Sequence, residues 1–571
     1  MQKRKALPAV GFLRTLILFR APYAGKSPKA GPKRDMKMSD TTENVESESS
    51  LDPDFQTDFE LGQDNIRPFG LDIHNPVFLI SSVLIAGFVI LSLANQEASA
   101  AFFGWLRPML TSEFDWFLVL SVDAMLIFCL ALIVLPVGAV RIGGQDATPD
   151  YSYAGWIAMM FAAGIGIGLL FFGVLEPTYY NFSEGGNASP LGIDATQPGN
   201  EYVGVVGTIH HWGLEGWCVY ALVGLTLAIF AYNKGMPMTL RSAFYPILGE
   251  RIWGWWGHAI DTLAVFATLF GLTTSLGLGA QQVAFGLNEV AGIETTNTVV
   301  VMLIVGITAI ALVSVCMGMD AGVKRLSEIN MIMAVGLFLF VFFITGAVDA
   351  ITRYFSVMTD YVMMLPALSN PFGREDTSFF HGWTTFYWAW WIAWSPFVGM
   401  FIARISKGRT VREFLLCALI APTLVCALWM STFGGAAIDM LNAGGAEGVR
   451  ATVIDSYKPE GALFGFLKEL PFYSIVSPIA LVLIVIFFVT SSDSGSLVID
   501  TITAGGKMDA PVAQRVFWCT LEGLVAIALL LGGGLSALQG AAVSTGIPFT
   551  LVLLAMMYCV YVALKSERAK M

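Results

Sequence analysis

The chain has 571 residues, 56% of them hydrophobic and only 13% charged, with a formal net charge of −11 and a mean hydropathy of +0.68. So apolar a composition excludes a water-soluble globular protein and defines an all-α polytopic membrane protein. The acidic balance does not point to nucleic acid, because many of the carboxylates fall in one N-terminal tail and in loops. Seven cysteines lie in or beside apolar runs with no CxxC spacing and read as small buried residues. The five histidines are scattered except for His210 and His211, which argues against a metalloenzyme, and no catalytic residue or cofactor is expected.

Residues 1–38 start with Lys3, Arg4 and Lys5 and a short apolar run broken by Arg14, too short to span a bilayer. They read as a leader, an interfacial helix, or sequence upstream of a start at Met36 or Met38, the last being favoured. Residues 40–64 are acidic and polar and are expected to be disordered. From Pro76 onward about twelve runs of spanning length follow. The even number puts both termini on one side, and Lys and Arg (Arg141, Lys234, Arg241, Arg404, Lys407, Arg409, Lys507, Arg515) fall in alternate loops, which makes those loops and both termini cytoplasmic. The expected organisation is a tail, largely disordered, over 1–75, two peripheral spans over 76–150, a first repeat over 151–346, an amphipathic connector helix over 347–380, a second repeat over 381–564 and a short tail over 565–571.

The third span contains Gly164, Gly166 and Gly168 at spacing two, each costing a helix about 1 kcal/mol against Ala. The stretch is expected to unwind, the alternative being close helix packing through small residues. The eighth span, five helices later, is expected to break at Ser395-Pro396. Paired interruptions in corresponding positions point to a transporter with inverted repeats of five spans, three to seven and eight to twelve, and a site near the bilayer midplane. The eighth span also carries five of the 15 tryptophans, Trp383, Trp388, Trp390, Trp391 and Trp394. These are either packing groups or faces for a desolvated cation. The fourth span supplies a second cluster, Trp212, Trp217 and Tyr220, and together with Trp391 these form a cage for a quaternary ammonium or similar onium group, which offers no N–H to leave unsatisfied.

These residues resemble the betaine/carnitine/choline transporter (BCCT) family. The likeness runs from about residue 70 to 560 and is carried by FYWAWWIAWSPFVGMFIARISKGRTVREF in the eighth span, AAGIGIGLLFFGVLEP in the third and HWGLEGWCVYA in the fourth. The resemblance implies twelve spans with a LeuT-like 5+5 inverted-repeat core, homotrimers in the cytoplasmic (inner) membrane with lipid around them, and a substrate box of Trp212, Trp217, Tyr220 and Trp391, with Trp394 along the route. Similar choline carriers place Asp where this chain has Gly168. A net cation needs such a carboxylate, so its absence favours a zwitterion whose own carboxylate meets the amides of Gly164, Gly166 and Gly168. For sodium as coupling ion, the resemblance points to the carbonyls of Ala162 and Ile165 with Phe487, Thr490 and Ser491. Back-bonding to the helix is the alternative fate of those hydroxyls. A second sodium site would use Thr268 and Phe397, but Leu272 stands where a second threonine is expected and only Thr273 is nearby. Glu215 replaces a residue that is neutral or His in relatives, and it is either a functional carboxylate or one near water at the outer end. The expected function is sodium-coupled import of glycine betaine or dimethylsulfoniopropionate by alternating access. A proton-coupled choline transporter and a sensor that binds without transporting are the alternatives. The tail KSERAKM is too short for osmotic control of the kind seen in relatives with long C-terminal extensions.

Overall fold

The computed structural model describes residue 55 and residues 57–165, 167–317 and 324–571. The readings of residues 1–54, including the start at Met36 or Met38, and of Gly166 lie outside the described residues. The described chain is almost wholly helical. Helices α1 (Asn75–Ala94), α2 (Gln96–Glu113) and α3 (Asp115–Val134) come first. The third span is split into α4 (Tyr153–Ile165) and α5 (Gly168–Phe182), the fourth into α6 (Val203–Trp212) and α7 (Leu214–Ala228). Then follow α8 (Trp255–Ala291), α9 (Asn297–Met317), α10 (Lys324–Ile344), α11 (Ala347–Leu368), α12 (Thr385–Ile405), α13 (Val411–Asn442), α14 (Ala462–Lys468), α15 (Tyr473–Thr503), α16 (Val512–Leu531) and α17 (Gly534–Ala569). Among the described residues, 10 helices are long and apolar enough to cross a membrane. The expected third and eighth spans are not in that set: the third contains Gly166, which lies outside the described residues, and the indoles of α12 lower its hydropathy.

Two interruptions differ from expectation. Helix α12 runs unbroken through Pro396. Proline removes the N–H that would bond the Ile392 carbonyl, but the Ser395 hydroxyl donates to that same carbonyl at 2.7 Å, so the backbone is satisfied and the helix continues. The fourth span breaks instead, at Gly213 (φ −101°, ψ −139°). A Cβ there would stand 2.5 Å from the Ile209 carbonyl oxygen, so a glycine is needed at the bend. In the third span helix is described as far as Ile165 and again from Gly168, with Ile167 in a turn between them.

Helix α12 is the axis of the bundle. All its residues except Phe401 and Arg404 are buried, and it packs against α7, α8 and α17. Its C-terminal end is tied down by a short ladder between two loops. The Ile142 amide donates to the Arg409 carbonyl, that of Gly408 to Ile142 and that of Val411 to Val140, each at 2.9 Å. Trp156 at the start of the third span adds an indole bond to the Ser406 hydroxyl at 3.0 Å. Helix α13 then starts at once, capped reciprocally by Thr410 and Glu413.

Of the connector expected over 347–380, α11 forms the part up to Leu368. It buries Ala350, Arg353, Val357, Tyr361 and Leu368 and exposes Val348, Phe355, Val362 and Met363, the two-faced pattern of a helix lying along a bundle. Its Arg353 reaches Asp439 of α13 at 2.5 Å. Residues 57–75 are folded, against the expectation of a largely disordered tail. Asn65–Ile66 pairs with Ile73–His74, Phe59 stacks on Trp253 at 3.9 Å, and Asp72 is bridged by Lys507 at 2.8 Å. Composition undercounted these contacts, because a few aromatic and ionic anchors suffice to order a polar stretch against an existing surface.

Candidate functional site: an aromatic box at the break of the third span

The bends at Ile165–Gly168 and Gly213 bring the third and fourth spans against the indole-rich half of α12. Trp391 is at the centre. Its ring centroid lies 4.7 Å from Tyr220, 5.6 Å from Trp212 and 5.9 Å from Trp217, and its indole N–H donates to the His211 carbonyl at 2.9 Å. A cavity opens among Trp212, Tyr220, Trp390, Trp391, Trp394 and Ser275, closed on the remaining side by Gly164, Ile167 and Gly168. Trp390 is an addition to the expected set. Trp217 does not wall the cavity. It is wholly buried behind it, its ring 5.6 Å from Tyr220, supporting the faces in front.

The glycines act as ring seats. A Cβ on Gly168 would lie 1.9 Å from the Trp212 ring, and one on Gly164 would lie 2.3 Å from Trp217. On Gly216 and Gly271 it would meet Trp391 at 2.5 Å and Trp394 at 2.7 Å. Such approaches are below any real carbon contact, so the third span's glycines serve close approach to aromatic rings as well as backbone exposure.

Glu176 orients the box and was missed in the sequence. It is fully buried and accepts from the Trp212 indole at 2.8 Å, the Tyr180 hydroxyl at 2.8 Å and the Tyr387 hydroxyl, with His211 Nδ1 at 3.0 Å. Four partners on one carboxylate fix the plane of Trp212 and leave little freedom of rotation. Its signal was a carboxylate directly before Pro177 inside an apolar span, the same feature that singled out Glu215. Glu215 itself is buried, not in outer water. It sits 2.8 Å from His210 Nδ1 and accepts from the Tyr361 hydroxyl of α11 at 2.8 Å, and it does not line the cavity.

Ala162 and Ile165 are described as helix positions of α4. The Thr490 hydroxyl donates back to the Ile486 and Phe487 carbonyls at 3.0 Å each, the commoner fate of a helical threonine. Phe487 and Ser491 wall a second cavity with Ile167, Leu272, Ser275, Trp394 and Glu522. Thr268 is buried with its hydroxyl unpartnered, Thr273 bonds the Phe270 carbonyl at 3.1 Å, and Phe397 packs edge-on to Trp394 at 5.6 Å.

Such a box, walled by π-faces and free of ammonium, guanidinium and carboxylate groups in a multi-pass bundle, has the chemistry to hold a small onium compound. The family model for betaine/carnitine/choline family transporters matches residues 76–569, and the chain belongs to that family, whose members are transporters and not enzymes. It is 55% identical over 514 residues to a glycine betaine/proline/choline transporter of Vibrio parahaemolyticus, covering 87% of this chain and 92% of the relative. A glycine betaine transporter of the same organism is 50% identical, with 90% and 98% covered. One of Acinetobacter baylyi is 40% identical, with 88% and 74% covered.

Proposed function

We propose that the protein imports a methylated onium zwitterion, glycine betaine first and dimethylsulfoniopropionate next, by alternating access with sodium as the coupling ion. The observation that carries the reading is the charge-free aromatic cavity. Each ring face supplies about 0.5 to 2 kcal/mol to a desolvated cation, while no fixed carboxylate balances a net charge, so a ligand carrying its own anion fits best. The amides at the break of the third span are the natural receivers of that anion. One co-transported charge adds about 2.3 kcal/mol per 100 mV, roughly fiftyfold accumulation. Choline is the second reading, because the Vibrio relative at 55% identity is a glycine betaine/proline/choline transporter. In this reading the chain lies in the inner membrane with both termini cytoplasmic, which the alternation of Lys and Arg supports, and forms homotrimers.

The test is uptake of radiolabelled glycine betaine, dimethylsulfoniopropionate, choline and carnitine into proteoliposomes under separate sodium and proton gradients. Sodium-driven accumulation of a zwitterion with choline inert is expected. Proton-driven choline uptake overturns the reading, and ligand binding with no accumulation under any gradient makes the protein a sensor.

A further inference from the structure

Beyond the box, the bundle holds a second carboxylate that the transport reading does not use. Glu522, on α16, is 1% exposed. Its Oε2 accepts from the hydroxyls of Ser492 and Ser496 of α15, both at 3.2 Å, while Oε1 has no protein partner and no cation pairs with it among the described residues. Two neutral hydroxyls do not balance a buried negative charge, which costs several kcal/mol when left alone in a low dielectric. Glu522 also faces space. It walls the second cavity with Ser491, Ser492, Ser275 and Phe487, so a carboxylate and several hydroxyls converge on one small chamber. A set made wholly of oxygen donors with one net negative charge suits a hard cation of single charge. Ile167, Ser275 and Trp394 wall this chamber and the aromatic box alike, so an ion here and a ligand in the box share a wall.

We propose that Glu522, with Ser491 and Ser492, forms a sodium site in the second cavity, with Ser496 holding the carboxylate from outside it, and that Ile167 and Trp394 couple its occupancy to the aromatic box. The site differs from the set expected from the resemblance: its charged ligand comes from α16, and Thr490 does not wall this cavity. The inference rests on the sodium-coupled reading, and its test is therefore direct ion binding, which needs no substrate and no transport.

The experiment is equilibrium binding of 22Na+ to the purified full-length protein in detergent, with N-methylglucamine as the inert cation and a fixed pH. Glu522→Gln keeps the shape and removes the charge. It is expected to raise the half-saturating sodium concentration at least tenfold or to remove one bound ion, and Ser496→Ala to raise it two- to fivefold. Unchanged stoichiometry and half-saturation in both variants overturn the proposal, as does 22Na+ binding that is absent from the parent protein. Were Glu522→Gln to elute as aggregate, the Ser492→Ala/Ser496→Ala double variant decides by the same readout. A protein that binds sodium through Glu522 yet accumulates no betaine would overturn the transport reading and leave the site standing.

Discussion

Gly168→Ala adds a single methyl group where the structure has no room for one. Its Cβ would stand 1.9 Å from one carbon of the Trp212 ring and 2.4 Å from the next; ordinary carbon contacts begin near 3.5 Å, so the ring edge must retreat by about 1.5 Å. The indole is held on its other side by the 2.8 Å bond to Glu176 and by neighbours at 5.6 Å, Tyr387 and Trp391. Overpacking of this kind costs about 1 to 3 kcal/mol. Displacing the ring also misaligns one of the faces that meet the ligand, a loss of about 0.5 to 2 kcal/mol, or between roughly twofold and thirtyfold in affinity. Equilibrium binding of radiolabelled glycine betaine to the solubilised protein measures this directly. Gly306→Ala is the control, since nothing lies within 4 Å of a Cβ at that position. Betaine affinity in Gly168→Ala equal to that of the parent would refute the ring-seat argument, and equal losses in both variants would reduce it to a general effect of mutation.

Glu215→Ala leaves the Tyr361 hydroxyl and His210 without their buried partner, and thermal unfolding in detergent should show a loss of about 1 to 3 kcal/mol, while sodium and pH dependence of uptake stay as in the parent; a changed coupling ion would restore Glu215 to the mechanism. Ser395→Ala exposes the Ile392 carbonyl that Pro396 cannot serve, at about 0.5 to 1.5 kcal/mol, read as a lower melting temperature and, at that site, faster amide exchange in the turn above Pro396. Burial, with the charges of Arg241 and His258, pushes His74 down to about 3. The folded protein therefore refuses a proton that the unfolded chain accepts below about pH 6.5, so this group costs nothing above that pH and about 1.4 kcal/mol per unit as pH falls from there toward 3. Thermal unfolding at pH 7.5 and pH 5 should differ by about 2 kcal/mol more in the parent than in His74→Gln, and equal differences would show that His74 is not the group responsible.

The box was legible because aromatic residues at helical spacing in two spans have few other reasons to coincide. Less legible was anything settled by one hydrogen bond. The Ser395 hydroxyl turns a predicted break into a continuous helix, and Thr490 spends its hydroxyl on its own backbone, facts that spacing alone does not carry. Trp217 and Tyr220 share a face of α7, yet only Tyr220 meets the cavity, since a Cβ on Gly164 would already touch Trp217. Glu176 and Glu522 escaped notice because each stands alone in an apolar run. Most of their partners come from other helices, and long-range partners are what a single sequence conceals.

The ladder between Val140–Ile142 and Gly408–Val411 has a mechanical consequence. It pins α12 at its C-terminal end, together with the start of the third span through Trp156, and so makes that corner a fulcrum. Helix α12 is about 31 Å long at 1.5 Å per residue, which places Trp391 about 21 Å from the pinned end. A tilt of about 10° there would carry Trp391 by roughly 4 Å and the helix start by roughly 5 Å, while Ser406 hardly stirs. Leverage of that kind would swing the box-forming indoles away from Trp212 and Tyr220 without breaking a single bond of the anchor.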